Sequence, residues 1–226
     1  VLGGESLRTP VGTDNGVRLM DVDGDGYMDV TIANERLRRT RIWQPATRSW
    51  RLASFPVPLV RPSDGAPDPS VRFGIVGSKQ QVCVFSLGDS AGAAWVFDGD
   101  SWVAKPGLLA GLTIDGQPVR AALNGVDRGV RLRDIDGDGQ TELIVSNPDQ
   151  SAVFAWDEAA RQWKLTSYQL PDDARIVDAD GNDAGTRFSD IDSDGFEDFH
   201  HPRNVHVKAR HRRIPGIDKP MKNLNI

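Results

Sequence analysis

A chain of 226 residues with 38% apolar content can bury a sizeable core, and it contains no run near the roughly 18 apolar residues of a membrane helix. Its formal charge of −5 conceals a split: residues 200–226 carry seven Lys or Arg against the single acid Asp218, which leaves −11 on residues 1–199. An acidic body disfavours nucleic acid and suits divalent cations, while a lone cysteine, Cys83, excludes an intrachain disulfide, a Cys-based zinc site and a paired redox motif.

Twenty-three Gly and 14 Pro predict many turns and short strands. The chain begins at Val1 with no basic segment followed by an apolar stretch, and is expected to be a piece of a longer protein that lacks its signal peptide here.

The first unit opens at Gly16-Val17-Arg18-Leu19-Met20-Asp21 and runs directly into Asp21-Val-Asp23-Gly-Asp25-Gly-Tyr27-Met-Asp29. Acids at positions one, three, five and nine crowd four carboxylates round one point, which is sensible only around a cation. Hard oxygen donors favour calcium over zinc or copper, and Gly26 at position six permits a sharp turn. By analogy with other calcium loops, position seven, Tyr27, offers its backbone carbonyl. An EF-hand would close with an acid at position twelve between helices; here the acid is at nine and a strand, Asp29–Ala33, follows. Beyond it, Trp43 and Trp50 flank a four-residue loop, Pro45–Arg48, which would set them opposite each other on a hairpin.

In the second unit Ser70-Val71-Arg72-Phe73-Gly74-Ile75 repeats the opening, but Ile75, Gly77, Lys79 and Cys83 stand where ligands belong. That site cannot bind calcium, so the ion is expected to stiffen a unit without creating it. A strand Val82–Ser86 follows, then Trp95 and Trp102; an Asp98-Gly99 type I′ turn would place these two face to face.

The third unit restores the pattern with Gly129–Asp134, ligands Asp134, Asp136, Asp138 and Glu142, the Gln140 carbonyl, a strand Glu142–Ser146, and Trp156 and Trp163 about the loop Glu158–Arg161. The fourth has Gly185–Asp190 and the ligands Asp190, Asp192, Asp194 and Asp198, with the Phe196 carbonyl. From residue 200 the expected strand and Trp hairpin are missing. The basic stretch 200–226, which holds all four histidines, is expected to be disordered or foreign to the fold rather than a metal or nucleic-acid site.

Four openings at steps of 54, 59 and 56 residues, with six Trp in three pairs seven apart, describe one supersecondary unit repeated. The predicted fold is all-β: a β-propeller of about three complete blades plus a partial fourth over residues 1–199, a fragment of a larger ring; a β-solenoid is the alternative. The recurring Arg18, Arg72, Arg131 and Arg187 are predicted to tie units together, with an anion-binding surface as the alternative, and the Trp pairs to pack rather than to stack on sugars.

These loops and the strands after them resemble the FG-GAP and VCBS repeats, including the calcium-binding blades of integrin α-subunit heads. The resemblance covers about residues 10–199, although the family's Phe-Gly and Gly-Ala-Pro signatures survive only as isolated echoes at Phe73-Gly74 and Gly65-Ala66-Pro67. It implies a seven- or eight-bladed extracellular propeller with calcium loops on one rim, secreted or at the cell surface, of a kind common in bacteria. It also implies adhesion, through a protein or glycan partner.

No nucleophile and base stand in a catalytic context, so a non-enzymatic binding module is the first expectation. The second is the propeller portion of a secreted enzyme, a polysaccharide lyase or a dehydrogenase or haem-type protein, because propellers host both.

Overall fold

Short β-branched runs separated by Gly- and Asp-rich turns cannot pair far along the chain, and they fold here into local antiparallel meanders. The structure, a computed structural model, describes residues 2, 4–168, 170, 174–191, 193, 197–201 and 204–207. The first sheet has the order β1 (Val17–Met20), β2 (Asp29–Ala33), β3 (Arg38–Gln44), β4 (Ser49–Ser54). The second repeats it with β5 (Val71–Val76), β6 (Gln81–Ser86), β7 (Ala93–Phe97) and β8 (Trp102–Ala104). A 3-10 turn at Pro106–Leu109 and two small hairpins follow: β9 (Thr113–Ile114) with β10 (Gln117–Pro118), and β11 (Ala122–Leu123) with β12 (Val126–Asp127). The third four-stranded sheet is β13 (Val130–Arg133), β14 (Glu142–Ser146), β15 (Ser151–Asp157) and β16 (Gln162–Leu165). A three-stranded sheet, β17 (Arg187–Ser189), β18 (Asp198–His201) and β19 (Asn204–Val207), ends the described chain.

The protein is thus all-β, and the predicted strands after the acidic loops are in place. One expectation is corrected here. A strand does follow the third loop: Ser189 pairs with Asp198 just as Met20 pairs with Asp29, and β18 and β19 take residues 198–201 and 204–207. Backbone pairing onto β17 requires no apolar alternation, which is why the sequence pattern missed it. The rest of 200–226 lies outside the described residues. No helix among the described residues is long and apolar enough to cross a membrane.

The sheets pack on one another through alternate residues of their inner strands. All five residues of β2 and of β14 are buried. Leu143 and Val145 enter a core shared with Phe85 and Val96 of the second sheet, whereas Ile144, between them, packs with Ile176, Val177 and Phe188 on the other side. A strand buried on both faces reads as a continuous apolar run, as Leu143-Ile144-Val145 does, while β2 buries Thr31 within its run. Close approach is enforced at the sheet entry: a Cβ on Gly129, at φ 69°, would lie 2.2 Å from the Ser146 carbonyl oxygen, so only glycine fits.

The hairpins bear out two tryptophan pairs and correct the third. Trp43 pairs with Trp50 and Trp156 with Trp163. Trp95, however, lies opposite Ala104, and Trp102 faces Phe97. Gly99 has φ 99° and occupies the first corner of the turn, with Asp100 at the second, because the Asp98 N–H donates to the Ser101 carbonyl at 3.0 Å. The Asp98 carboxylate also accepts the N–H groups of Asp100 and Ser101 at 3.0 and 2.8 Å. Moving the corner one residue along shifts the register by two. The aromatic pair nevertheless survives as Trp43/Trp50, Phe97/Trp102 and Trp156/Trp163, with ring centroids 5.0, 5.4 and 5.7 Å apart. It is a packing device: Trp102 Nε1 donates to Thr40 Oγ1 of the first sheet, and Trp163 Nε1 to the Leu108 carbonyl before the third.

Candidate metal centre

The acidic loops occupy the connection between the first two strands of a sheet, where Met20 and Asp29 pair at the base of an eight-residue excursion and Arg133 and Glu142 do the same. Their geometry repeats bond for bond. Position one ties the loop together: Asp21 Oδ1 accepts the N–H groups of Gly24 and Asp25 at 2.8 and 3.1 Å, and Oδ2 that of Gly26 at 2.8 Å. Asp134 accepts from Gly137, Asp138 and Gly139 at 2.7, 3.2 and 2.9 Å. Position nine closes it from below, with Asp29 accepting the Val22 N–H at 2.9 Å, Glu142 that of Ile135 at 3.0 Å, and Asp198 that of Ile191 at 3.1 Å.

Two carboxylate trios result, each with one ligand atom per residue within 4.8 Å of the others and able to hold a metal ion: Asp21, Asp23 and Asp29, and Asp134, Asp136 and Glu142. Position five stands outside both trios. Asp25 and Asp138 are exposed, and each caps the N–H two residues on, Tyr27 at 2.9 Å and Gln140 at 2.7 Å, so that they fix the backbone of position seven. In the third loop Asp190 and Asp198 are described, and Asp192, Asp194 and Phe196 lie outside the described residues.

The electrostatics are those of an anion cluster held out of water. Burial raises the pKa of Asp23, and the neighbouring Asp25 and Asp21 add to it. Burial also raises Asp29, against the opposing N–H bonds of Trp43 and Val22. Glu142 is pushed up to about 8, first by burial and then by Asp136, Asp138 and Asp134, against the Ile135 N–H. Asp23 Oδ1 is buried with no hydrogen-bond partner. An orphaned carboxylate oxygen beside two others is costly unless a cation supplies the missing interaction, so the residues present fit a metal ion.

The second unit shows the same connection without acids. Its eight residues from Ile75 to Val82 zip two further pairs, Ile75 with Val82 and Val76 with Gln81, and close on a tight turn over Gly77–Gln80. The end of β5 docks on the second acidic loop: Thr141 Oγ1 accepts from the Ile75 N–H at 3.0 Å and donates to its carbonyl at 3.1 Å, while the Thr141 N–H reaches the same carbonyl at 2.8 Å.

The repeated arginines are engaged structurally. Each donates to the carbonyl of the preceding residue, at 2.8–3.0 Å. Arg18, Arg131 and Arg187 also pair with an Asp four residues earlier: Asp14, Asp127 and Asp183. Arg72 instead crosses to the third unit, where its Nε bonds the Val130 carbonyl at 2.6 Å and its Nη2 bonds Asp127 at 3.0 Å. The acid of this Asp-x-Gly/Ser-x-Arg motif went unrecognised in the sequence reading, although Asp14, Asp68, Asp127 and Asp183 recur at one spacing. Each also caps the N–H two residues on, at 2.6–2.9 Å. Glu197, another carboxylate not anticipated, has Oε2 buried without a hydrogen-bond partner and its pKa raised by burial.

In comparisons with known proteins, no family description matches the chain and no curated protein is significantly similar to it.

Proposed function

We propose that this chain is a calcium-binding segment of an extracellular β-propeller that serves protein or glycan interaction and has no catalysis of its own. The observation that carries the reading is the pair of carboxylate trios at the same connection of two sheets built alike. The donor set is oxygen throughout, which suits calcium and neither zinc nor copper. The bound ion neutralises carboxylates whose mutual repulsion and burial otherwise oppose the loop's closure. Four-stranded meanders that share cores on both faces are the arrangement of successive propeller blades. The third acidic loop, of the same sequence form, is proposed as a third calcium site. Cys83 is buried and its thiol pushed up to about 12 by that burial, which suits a packing residue and no nucleophile.

Terbium luminescence sensitised by the chain's aromatic residues, and calorimetric titration with calcium, test the metal sites directly. At about 1 mM calcium and a Kd of about 0.1 mM, each site adds about 1.4 kcal/mol of stability. Three sites then raise Tm by roughly 10 °C for a chain of this size. Excess EDTA is expected to reverse the rise, and Asp23→Asn with Asp136→Asn to abolish most of it. An unchanged transition in EDTA, with no terbium signal, refutes the reading.

A further inference from the structure

An open pocket of about 460 Å³ lies between the second and third sheets, framed by the β5–β6 turn, the 3-10 turn and the β15–β16 hairpin. It opens where the repeated loop has lost its acids. At the preceding junction the equivalent space is bridged by Arg51, whose guanidinium bonds the Gly99 carbonyl at 2.6 Å and the Asp100 carbonyl and carboxylate at 2.9 Å. By strand register Val103 takes the place of Arg51 in the second unit, an apolar side chain that cannot make those bonds.

What lines the gap is chemically divided. Val76, Cys83 and Val96 form an apolar floor, and each is buried. Trp156 makes one wall, its ring held 5.7 Å from Trp163 and its Nε1 donating to Glu158 Oε2 at 2.9 Å. Lys79, Lys105 and Arg161 stand exposed at the rim, and among the described residues none of the three side chains makes an ion pair or hydrogen bond. Glu158 is the single acid of the lining, and the Trp156 indole already engages it. Ser78 and Gln81 add neutral polar groups to the lining.

We propose that this pocket binds a carboxylated sugar of the hexuronate class, its ring against Trp156 and its carboxylate among Lys79, Lys105 and Arg161. Three unpaired cations against one engaged acid select an anion, and carboxylate bonds to them are charge-assisted. An inorganic phosphate would leave the aromatic wall and apolar floor unused. A fatty or aryl acid would bury Ser78 and Gln81 without partners, a penalty that sugar hydroxyls remove. The volume is of ordinary ligand-site size. The inference supplies a ligand class for the interaction part of the function proposed above and rests on that part alone, because the turn over Gly77–Gln80 carries no metal ligands.

Methyl glucuronide and methyl glucoside, which differ in a carboxylate for a hydroxymethyl group, are titrated against the whole chain by calorimetry and saturation-transfer NMR at low salt, with calcium and again in EDTA. The glucuronide is expected to bind at least about tenfold more tightly, weakening as salt rises, and the difference to vanish in a Lys79→Ala/Lys105→Ala/Arg161→Ala variant of unchanged Tm. Equal binding of the two sugars, no glucuronide binding up to about 10 mM, retention of binding by the triple variant, or tighter binding of benzoate or decanoate overturns the proposal. Should the triple variant prove unstable, Lys79→Glu alone, on an exposed turn, is expected to weaken glucuronide severalfold and leave glucoside unchanged. Terbium binding is scored separately, so that failure of the metal reading and failure of this one are distinguishable.

Discussion

Arg72 and Arg187 occupy the same place in the repeat, and replacing each with Met should have very different consequences. The Arg72 side chain is 13% exposed, and burial pulls its pKa down to about 10, still charged at neutral pH. It bonds the Val71 and Val130 carbonyls and the Asp127 carboxylate, so it spans the second and third units. Breaking a buried pair costs about 3–5 kcal/mol. The lower end applies here, since Asp127 keeps Arg131 and the Gly129 N–H, and Met preserves much of the buried stem. A loss of about 3 kcal/mol lowers Tm by roughly 6–12 °C in a chain of this size. Arg187, 63% exposed, pairs directly with an Asp183 that is 59% exposed, so the pair is screened by solvent and replacing Arg187 is expected to leave the transition in place. Thermal and urea unfolding of both variants, with calcium fixed, give the comparison. Equal shifts would show that the motif contributes through local loop geometry alone, and would refute the role given to Arg72 as an inter-unit tie.

Two further outcomes follow from burial and charge. Cys83 is fully buried with its thiol held near 12, so a disulfide reagent is expected to leave it untouched in the native protein and to titrate one thiol per chain in denaturant; prompt native labelling would place β6 outside the core. Burial works against the Asp14 carboxylate, but Arg18 and the Gly16 N–H outweigh it and lower its pKa below 3.8. A depressed folded pKa means stability that is present above the unfolded value and lost as pH falls through the folded one. Asp14→Asn is therefore expected to be less stable than the parent at pH 7 but to lose less on acidification from pH 6 towards pH 3, as measured by urea midpoints; parallel losses in the two proteins would refute the assignment.

The acidic loops were legible because residue type and spacing recur together: acids at one, three, five and nine with glycine at six, of which positions one, three and nine meet in two trios able to hold a metal ion. The strands after them were legible for a similar reason, since a run such as Leu143-Ile-Val is buried on both faces and tolerates little else. Trp95 was misplaced because a seven-residue interval does not fix a hairpin register; the positive φ at Gly99 does, and Asp98-Gly99-Asp100 allows the corner at either dipeptide. Asp14 and its counterparts were overlooked for a different cause. For Asp14, Asp127 and Asp183 the partner is an arginine whose role is visible only once the backbone brings each pair to 2.8–3.1 Å. The pocket was less accessible still, because its cations come from three separate segments that only the fold brings to one rim.

The second unit separates what the acids do from what the fold does. Eight residues lie between Met20 and Asp29 in the first unit and eight between Gly74 and Cys83 in the second, the latter a paired position as well. With Ile75 opposite Val82 the segment extends its ladder by two pairs; with an acid in the place of Ile75, Asp21 or Asp134, it opens into a loop whose N–H groups turn inward to that carboxylate. Both outcomes end at a buried residue in the same position, Asp29 or Cys83, and both leave a four-stranded sheet. The sheet therefore does not depend on the cation, and the energy of a bound ion goes into fixing the loop and whatever is docked on it. In the third unit that includes Ile75, held by Thr141 one residue before Glu142. A metal in that loop would thus stiffen the junction with the second unit, whose connection carries no acids, next to the pocket at that junction.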